Sequence, residues 1–384
     1  MITGVIPYGC QDIISEDIDA VVAVLQSDWL TQGPVVPQFE SGVANHCGAA
    51  HAVAVNSATS ALHLACLALD LGPGDSLWTS PNTFVASANC ARYCGAQVDF
   101  VDIDPHSLNM SPAALAIKLE QAEKTGKLPK AVVPVHFAGQ SCDMAAIHPL
   151  AERYGFHIVE DASHAIGGRY QGQPVGNGRY SDITIFSFHP VKIITSGEGG
   201  MALTNATALA ERIARLRSHG ITRDAAAQAA VGPWFYEQVE LGFNYRMTDM
   251  HAALGLSQLA RLDTYGAARR RLADRYDDLL ADLPLTRPWR DADCVSAWHL
   301  YVVQLDDASR RRAVFERLRA AGIGVNVHYI PVHLQPDYRR FGFAAGDFPV
   351  AEDYYTRAIT LPLYPGLSDT DQDRVVTALR RALV

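Results

Sequence analysis

Short β-branched apolar runs alternate with longer Ala- and Leu-rich stretches between about residue 50 and residue 205. The apolar runs are nearly continuous, as in "HAVAVNS", "KAVVPVHFAG", "FHIVEDA" and "DITIFSF", and the stretch "SALHLACLALDL" has the composition of a helix. Strands that are buried on both faces read as continuous apolar runs, whereas half-exposed strands alternate. The pattern therefore predicts an α/β fold in which helices cover both faces of a mostly parallel sheet.

The elements change in the C-terminal part of the chain. Composition and apolar spacing predict helices over about 209–220 and 248–280, and the second is long enough to link two domains. Beyond it come the apolar run "WHLYVVQL", the helix-like "ASRRRAVFERLRAAG" and a tail helix capped by Ser368. The sequence predicts a large α/β domain over residues 1–250 and a smaller α+β domain over residues 251–384.

Composition and charge narrow the classes of partner. Hydrophobic residues make up 48% of the chain and charged residues 19%, as in a globular protein. The formal net charge is −9, so there is no basic excess to neutralise the phosphates of nucleic acid or of a membrane surface. We expect neither partner, and a ligand that carries phosphate would need a local basic pocket.

Cysteine usage and the N-terminal stretch bear on the compartment. Seven cysteines are scattered without a C-x-x-C pair, which predicts neither a disulfide framework nor a zinc or iron–sulfur site, and we expect no metal. The stretch "MITGVIPYGCQDI" has no basic segment followed by an apolar one, and no apolar run approaches the roughly 18 residues of a membrane span. These features favour a cytoplasmic protein.

Polar residues follow several predicted strands, at the positions where open α/β sheets bind ligands. Ser57, Thr59 and Ser60 open an apolar helix, whose free N–H groups and dipole favour an anion, although a plain helix cap explains any one of them. Asp161 ends the run "FHIVED", where a buried carboxylate would face a cation, a metal or several donors, or else cap a helix or join a salt bridge. Neither position identifies a ligand by itself.

One lysine, Lys192, lies between an apolar run that contains Ser187 and the glycine-rich turn "SGEGG". A lysine removed from water has a lowered pKa, and its amine can then form a Schiff base with a carbonyl. Together with Asp161 it suggests pyridoxal phosphate. The lysine would hold the aldehyde, the aspartate would keep the pyridine nitrogen protonated, and the hydroxyls and the helix start would hold the phosphate.

These residues stand in motifs that resemble those of the DegT/DnrJ/EryC1/StrS sugar aminotransferases. The resemblance spans nearly the whole chain through "LTQGP", "NSATSALHLA", "SPNTFVASANCARYCGA", "VEDASHAIGG", "FSFHPVKIITSGEGGM", "GFNYRMTDMHAALGLSQL" and "VHYIPVHLQPDY". It implies fold type I of the pyridoxal-phosphate-dependent aminotransferases, the fold of aspartate aminotransferase. Within the family, "HPVK…TSGEGG" and "EQVELGFNYRMTD" are most similar to the aminotransferases of pseudaminic acid synthesis.

The resemblance also implies roles around the cofactor. Lys192 would carry the Schiff base and the transferred proton, Asp161 would pair with the pyridinium nitrogen, and His164 would lie beside the ring. Phe84 would stack on the ring face. Asn244 would reach the cofactor phosphate of the neighbouring subunit, which implies a homodimer with shared active sites. The phosphate in the same subunit would be held by Ala58, Thr59 and Ser187.

Contacts to a nucleotide sugar are implied at eight further positions. They are Tyr8, Trp29, Leu30, Thr31, Asn326, Val327, His328 and Tyr329. Tyr8 could equally be ordinary packing, and His328 could be a hydrogen-bonded histidine at the end of a strand. Arg246 is a candidate anion contact but could equally form an ion pair at a subunit interface.

The implied reaction transfers the amino group of L-glutamate to a nucleotide-linked sugar. The expected acceptor is the C4 ketone of UDP-2-acetamido-2,6-dideoxy-β-L-arabino-hex-4-ulose, which would give UDP-4-amino-4,6-dideoxy-N-acetyl-β-L-altrosamine for pseudaminic acid synthesis. The alternatives are another UDP- or dTDP-linked 4-keto-6-deoxy sugar, a pyridoxal-phosphate-dependent sugar dehydratase, or a noncatalytic binding protein of the same fold. Lys192 counts against a dehydratase, which resembles this family but carries histidine there, and the retained site residues count against a noncatalytic protein.

Overall fold

The computed structural model describes residues 4–384 of the chain. The strands are β1 His51–Val55, β2 Ser76–Thr79, β3 Gln97–Phe100, β4 Ala131–Val133, β5 His157–Asp161, β6 Arg169–Tyr170, β7 Gln173–Pro174, β8 Ile183–Ser187, β9 Gly200–Thr204, β10 Ile221–Thr222, β11 Glu237–Gln238, β12 Leu285–Thr286, β13 Cys294–Val295, β14 Tyr301–Leu305 and β15 Ala358–Leu361. The helices are α1 Ser15–Leu25, α2 Val35–Cys47, α3 Ala58–Ala68, α4 Ala86–Tyr93, α5 Pro112–Thr125, α6 Met144–Tyr154, α7 Thr207–Leu216, α8 Ala225–Val231, α9 Asp249–Leu259, α10 Leu262–Leu279, α11 Arg311–Ala320, α12 Pro336–Arg339, α13 Pro349–Arg357 and α14 Asp369–Ala382. Within this range, no helix is both long enough and apolar enough to cross a membrane.

The largest sheet has seven strands in the order β1-β9-β8-β5-β4-β2-β3. Neighbouring strands from β8 to β3 are parallel, whereas β9 runs antiparallel to both β8 and β1. The connection between β8 and β9, residues 188–199, contains no helix, and a parallel crossover usually needs one. The chain therefore turns back, so that Ser187 pairs with Gly200. The prediction of a mostly parallel sheet is confirmed.

Strand β8 shows why the apolar runs are continuous. Its neighbours Ile185 and Phe186 point to opposite faces, and both are fully buried. Ile185 packs in a core with α3 and α7, whereas Phe186 packs in a second core with α2. Burying each such side chain contributes about 1.5–3 kcal/mol, so both faces of the strand must be apolar. The site therefore rests on a sheet that is covered on both sides.

A smaller antiparallel sheet, β12-β14-β15, forms in the C-terminal part and packs with α10, α11 and α14. The division into domains at residue 250 stays a prediction. The single helix predicted over 248–280 is wrong, because α9 and α10 are separate helices. Arg261 between them leaves helical geometry, with φ −108° and ψ 6°, and its guanidinium donates to the buried Asp17 of α1 at 2.6 Å. This contact with α1 stabilises the non-helical conformation of Arg261 between α9 and α10.

Candidate active site

A cavity of about 920 Å³ opens at the carboxyl ends of the parallel strands. Because β5 and β8 are parallel neighbours, their last residues, Asp161 and Ser187, reach the same edge of the sheet and both line the cavity. Most of the predicted site residues line it as well. They are Tyr8, Ala58, Thr59, Phe84, Asp161, His164, Ser187, Lys192, Asn326, Val327, His328 and Tyr329. Residues from distant parts of the chain therefore meet here.

Lys192 lies in the connection between β8 and β9, where its backbone N–H donates to the carbonyl of His189 at 2.9 Å. Burial lowers the pKa of its ammonium group to about 8, and the carboxylate of Asp161 opposes part of this shift. A lysine with this pKa has a larger fraction of free amine near neutral pH than an exposed lysine. Lys192 therefore has the chemistry of a nucleophile and of a proton carrier.

Asp161 is a buried carboxylate at the tip of β5. The hydroxyl of Ser87 donates to its Oδ2 at 2.6 Å, and the backbone N–H of Ser163 donates to its Oδ1 at 3.1 Å. Both donors are neutral, and a buried charge without a cationic partner is costly. A protonated pyridine nitrogen would supply that partner. The arrangement fits the role predicted for Asp161 in pyridoxal phosphate binding.

The start of α3 faces the same cavity. Ser57 caps the helix, so the backbone N–H groups of Ala58 and Thr59 are left without a partner in the helix. Strand β9 approaches closely here, since a Cβ atom on Gly200 would lie 2.4 Å from the nitrogen of Ala58. Free amides at a helix N-terminus, together with the hydroxyls of Thr59 and Ser187, form a cradle that suits a phosphate group.

Phe84 and His164 contribute an aromatic side chain and an unpartnered ring nitrogen to the same cavity. Phe84 is 60% exposed although it lines the cavity, so its ring is available for a flat ligand. Nε2 of His164 lies 3.2 Å from the hydroxyl of Tyr329, whereas its buried Nδ1 has no protein partner among the described residues. Burial and the nearby Lys192 hold the pKa of His164 well below its usual value, so the ring is neutral.

Tyr8 and His328 also line the cavity, and the centroids of their rings are 5.6 Å apart. Nδ1 of His328 lies 2.7 Å from the hydroxyl of Thr360, so this histidine does have a protein partner. Burial, with a smaller effect of Lys192, lowers the pKa of His328 to about 4. Burial raises the pKa of Tyr8. Both side chains are therefore uncharged at neutral pH and can contact a ligand only as neutral groups.

Four predicted residues, and Arg246, lie outside this cavity. Trp29 and Leu30 are exposed, and Thr31 pairs with Thr248 instead. Asn244 is exposed and pairs through its backbone with Ser218. Arg246 lines a separate cavity of about 230 Å³. The ligand contacts predicted for these residues, including that of Asn244 with the cofactor of a neighbouring subunit, stay predictions.

Sequence reasoning missed several residues of the site. They are Asn56, Thr83, Ser163, His189, Glu198, His299 and Gln335, which line the cavity, and Ser87, which donates to Asp161. Ser163 stands inside the motif "VEDASHAIGG" and could have been found there. Ser87 likewise stands inside the motif "SPNTFVASANCARYCGA", whereas His299 stands in none of these motifs and reaches the site only through tertiary packing.

Asp249, also missed, explains the motif "LTQGP". It is fully buried, and its carboxylate accepts hydrogen bonds from the backbone N–H groups of Gly33 at 2.8 Å, Val35 at 2.9 Å and Val36 at 3.4 Å. A carboxylate that accepts several backbone donors fixes the turn that supplies them. Asp249 thereby holds the exposed segment of Trp29 in place.

The sequence matches the model of the DegT/DnrJ/EryC1/StrS aminotransferase family over residues 11–380. It is 44% identical over 382 residues to the spore coat polysaccharide biosynthesis protein SpsC of Bacillus subtilis. The matched region covers 98% of this chain and 96% of SpsC. The fold is similar to that of Spr1654 from Streptococcus pneumoniae in its PMP-form, with a TM-score of 0.91, 32% identity and 98% of each chain covered; Spr1654 also has a solved PLP-form. It is likewise similar to Helicobacter pylori PseC, an aminotransferase involved in the biosynthesis of pseudoaminic acid, with a TM-score of 0.90, 30% identity and 99% of each chain covered. The chain therefore belongs to the DegT/DnrJ/EryC1/StrS family and is a sugar aminotransferase of fold type I that uses pyridoxal phosphate.

Proposed function

We propose that this enzyme transfers the amino group of L-glutamate to the C4 ketone of UDP-2-acetamido-2,6-dideoxy-β-L-arabino-hex-4-ulose, giving UDP-4-amino-4,6-dideoxy-N-acetyl-β-L-altrosamine. The observation that carries the amino transfer is the meeting of Lys192, Asp161 and the free helix start in one cavity of about 920 Å³. The similarity to PseC supports the choice of sugar. All seven cysteines are free thiols, which supports a cytoplasmic enzyme.

When bound, pyridoxal phosphate supplies an aldehyde that joins an amine and a ring that withdraws electrons from the carbon bearing that amine. Asp161 would hold the proton on the ring nitrogen, because the two hydrogen bonds that its carboxylate accepts, from Ser87 and Ser163, come from neutral donors. Phe84 would cover one ring face. The amides of Ala58 and Thr59, with the hydroxyl of Ser187, would hold the phosphate.

Lys192 would move the proton in both halves of the reaction. Its Nζ would take the proton from Cα of L-glutamate, and in the second half it would act on the proton at C4 of the sugar in the opposite sense. Burial supports this role, since it lowers the pKa of Lys192 to about 8. A group whose pKa lies near the working pH can both accept and release a proton. The neutral rings of His164 and His328 add no competing charge.

The charges of the cavity support a homodimer with shared active sites. Glutamate carries carboxylates and a UDP-sugar carries two phosphates, yet Lys192 is the single lysine or arginine among the described residues that line the cavity. Further cations would have to come from a second subunit. Large apolar side chains in the segment that precedes Asn244 are also exposed, Trp234 by 75% and Leu241 by 78%, as expected of a protein interface. A second copy of this chain would bury them.

Mixed dimers test the sharing of sites. Lys192→Ala and Asn244→Ala should each be nearly inactive, and an equimolar mixture that exchanges subunits should recover about one quarter of the wild-type activity, since half the dimers have one intact site. If Asn244 serves its own subunit, the mixture stays inactive. Mixing each variant with itself under the same conditions is the control.

Substrate choice is tested by offering the enzyme L-glutamate with the two C5-epimeric UDP-4-keto sugars and a dTDP-4-keto-6-deoxy sugar. The proposal expects the highest kcat/KM for the β-L-arabino compound. A second candidate is an amino transfer to a different nucleotide-linked 4-keto sugar, which the 44% identity to SpsC favours. A higher kcat/KM for another acceptor would establish that candidate. Lys192→Ala, which should lose all turnover, is the control for uncatalysed transfer.

A further inference from the structure

His299 is a buried histidine of the cavity wall to which no role has been given. It is 5% exposed, lines the cavity and stands just before β14, in the smaller sheet. Its ring centroid lies 4.3 Å from that of His164, with an angle of 45° between the planes. Its Nδ1 is enclosed without a partner among the described residues.

The backbone around His299 is held by Arg269. This guanidinium is 1% exposed and donates to the carbonyls of Trp298 at 3.1 Å, His299 at 3.4 Å and Leu363 at 3.0 Å. Among residues 4–384 it has no carboxylate partner at ion-pair distance, although a buried cation is costly. Trp298 adopts φ +50°, in the left-handed region. The turn before β14 is therefore fixed in an uncommon conformation by a buried charge.

The backbones of the two histidines also converge across Gly139. A Cβ atom on Gly139 would lie 2.8 Å from the nitrogen of Trp298, 2.9 Å from the carbonyl oxygen of His164 and 3.0 Å from the nitrogen of His299. No side chain fits between these segments. The positions of both rings are therefore fixed by the backbone. Arg269 holds the turn before β14, which carries His299, and the segment after β5 carries His164.

The rings of His164 and His299 are both uncharged. Burial holds the pKa of His299 well below its usual value, and His164, Lys192, Arg269 and His328 act in the same direction. A neutral, flat and immobile ring can restrict the rotation of a neighbouring ring without adding charge next to Lys192. Among residues 4–384 the ring of His164 has one hydrogen-bond partner, the hydroxyl of Tyr329, so rotation about that contact must be restricted by packing.

We propose that His299 is a positioning residue for amino transfer, in which its ring, held by Arg269, fixes the orientation of His164 beside the cofactor. His299 acts through the tilted ring contact with His164 and not through its own nitrogens. This inference rests on the proposed position of pyridoxal phosphate between Lys192 and Asp161. It concerns the wall behind His164 and does not depend on which sugar is the acceptor.

Two substitutions separate the ring from its nitrogens. His299→Phe keeps a flat ring against His164 and removes both nitrogens, whereas His299→Asn keeps a polar group and removes the ring. We expect the dissociation constant of pyridoxal phosphate and kcat to stay within about three-fold of wild type in His299→Phe. In His299→Asn we expect cofactor binding to weaken and kcat to fall by about ten-fold, with KM for both substrates little changed. The reverse ranking of the two variants would overturn the proposal.

A double-mutant cycle tests whether His299 acts through His164. The cycle compares His299→Asn alone, His164→Ala alone and the double variant, with the affinity and the visible absorption maximum of added pyridoxal phosphate as readouts. Residues that act through one another are not additive, so His299→Asn should change affinity by less than about two-fold when His164 is already alanine. Additive effects would overturn the proposal. His106→Ala, at an exposed histidine, is the control.

Two measurements separate a failure of this proposal from a failure of the proposed function: the stability of each variant and the binding of pyridoxal phosphate by the wild type. Thermal unfolding of each variant without cofactor shows whether that variant is folded. If His299→Asn is unfolded, His299→Phe is compared with the wild type instead. Wild-type protein that fails to bind pyridoxal phosphate would refute the proposed function. Wild-type binding with additive variants would refute only the role of His299.

Discussion

The pKa of Lys192 can be tested by the pH at which cofactor-free protein captures pyridoxal phosphate. Only the free amine reacts with the aldehyde, so the rate follows the deprotonated fraction of Lys192. With a pKa of about 8, that fraction is about one tenth at pH 7 and about nine tenths at pH 9. A lysine with the ordinary pKa of about 10.4 would instead gain about a hundred-fold over the same range without levelling.

The measurement is the rate of the absorbance change after rapid mixing of cofactor-free protein with excess pyridoxal phosphate between pH 6 and pH 10. We expect the rate to rise about ten-fold from pH 7 to pH 9 and then to level. Lys192→Ala gives the background from other lysines, which is subtracted. A rise of about a hundred-fold that does not level by pH 9 would refute the lowered pKa of Lys192.

Asp161 supplies an internal check on the sign of the effect. Its negative charge favours the protonated amine and so raises the pKa of Lys192 against the larger effect of burial. Asp161→Asn removes that charge, and the midpoint of the capture rate should therefore move to lower pH than in the wild type. A midpoint that moves to higher pH would contradict the electrostatic coupling between the two side chains.

Three further substitutions test the scaffold. Gly200→Ala would place a carbon 2.4 Å from the nitrogen of Ala58, so pyridoxal phosphate should bind more weakly in an equilibrium titration, and unchanged affinity would contradict the close approach. Ser87→Ala removes the 2.6 Å hydrogen bond to Asp161 and should lower the free energy of unfolding in urea by about 1–3 kcal/mol. Asp249→Asn disturbs three backbone hydrogen bonds and should lower the free energy of unfolding by about 1–3 kcal/mol in the same assay. An unchanged free energy would show that the turn does not depend on these hydrogen bonds.

Much of the large sheet and the centre of the site could be predicted from the sequence. Continuous apolar runs identify strands that are buried on both faces, and this local property survives in any tertiary arrangement. Asp161 and Ser187 end two such runs, and Lys192 follows the second. Because parallel strands bring their carboxyl ends to one edge, their meeting in one cavity follows from the strand pattern itself.

The remaining features depend on contacts between distant parts of the chain. The break at Arg261 and the hydrogen bond from Ser87 to Asp161 arise from packing partners that are not neighbours in sequence. His299 belongs to the smaller sheet and enters the cavity only because Arg269 and Gly139 bring its turn against His164. The sequence by itself determined the buried strands of the large sheet and the chemistry of the lysine and the aspartate. The tertiary structure decided which side chains surround them, because a buried polar group takes whatever partner the packing brings within reach.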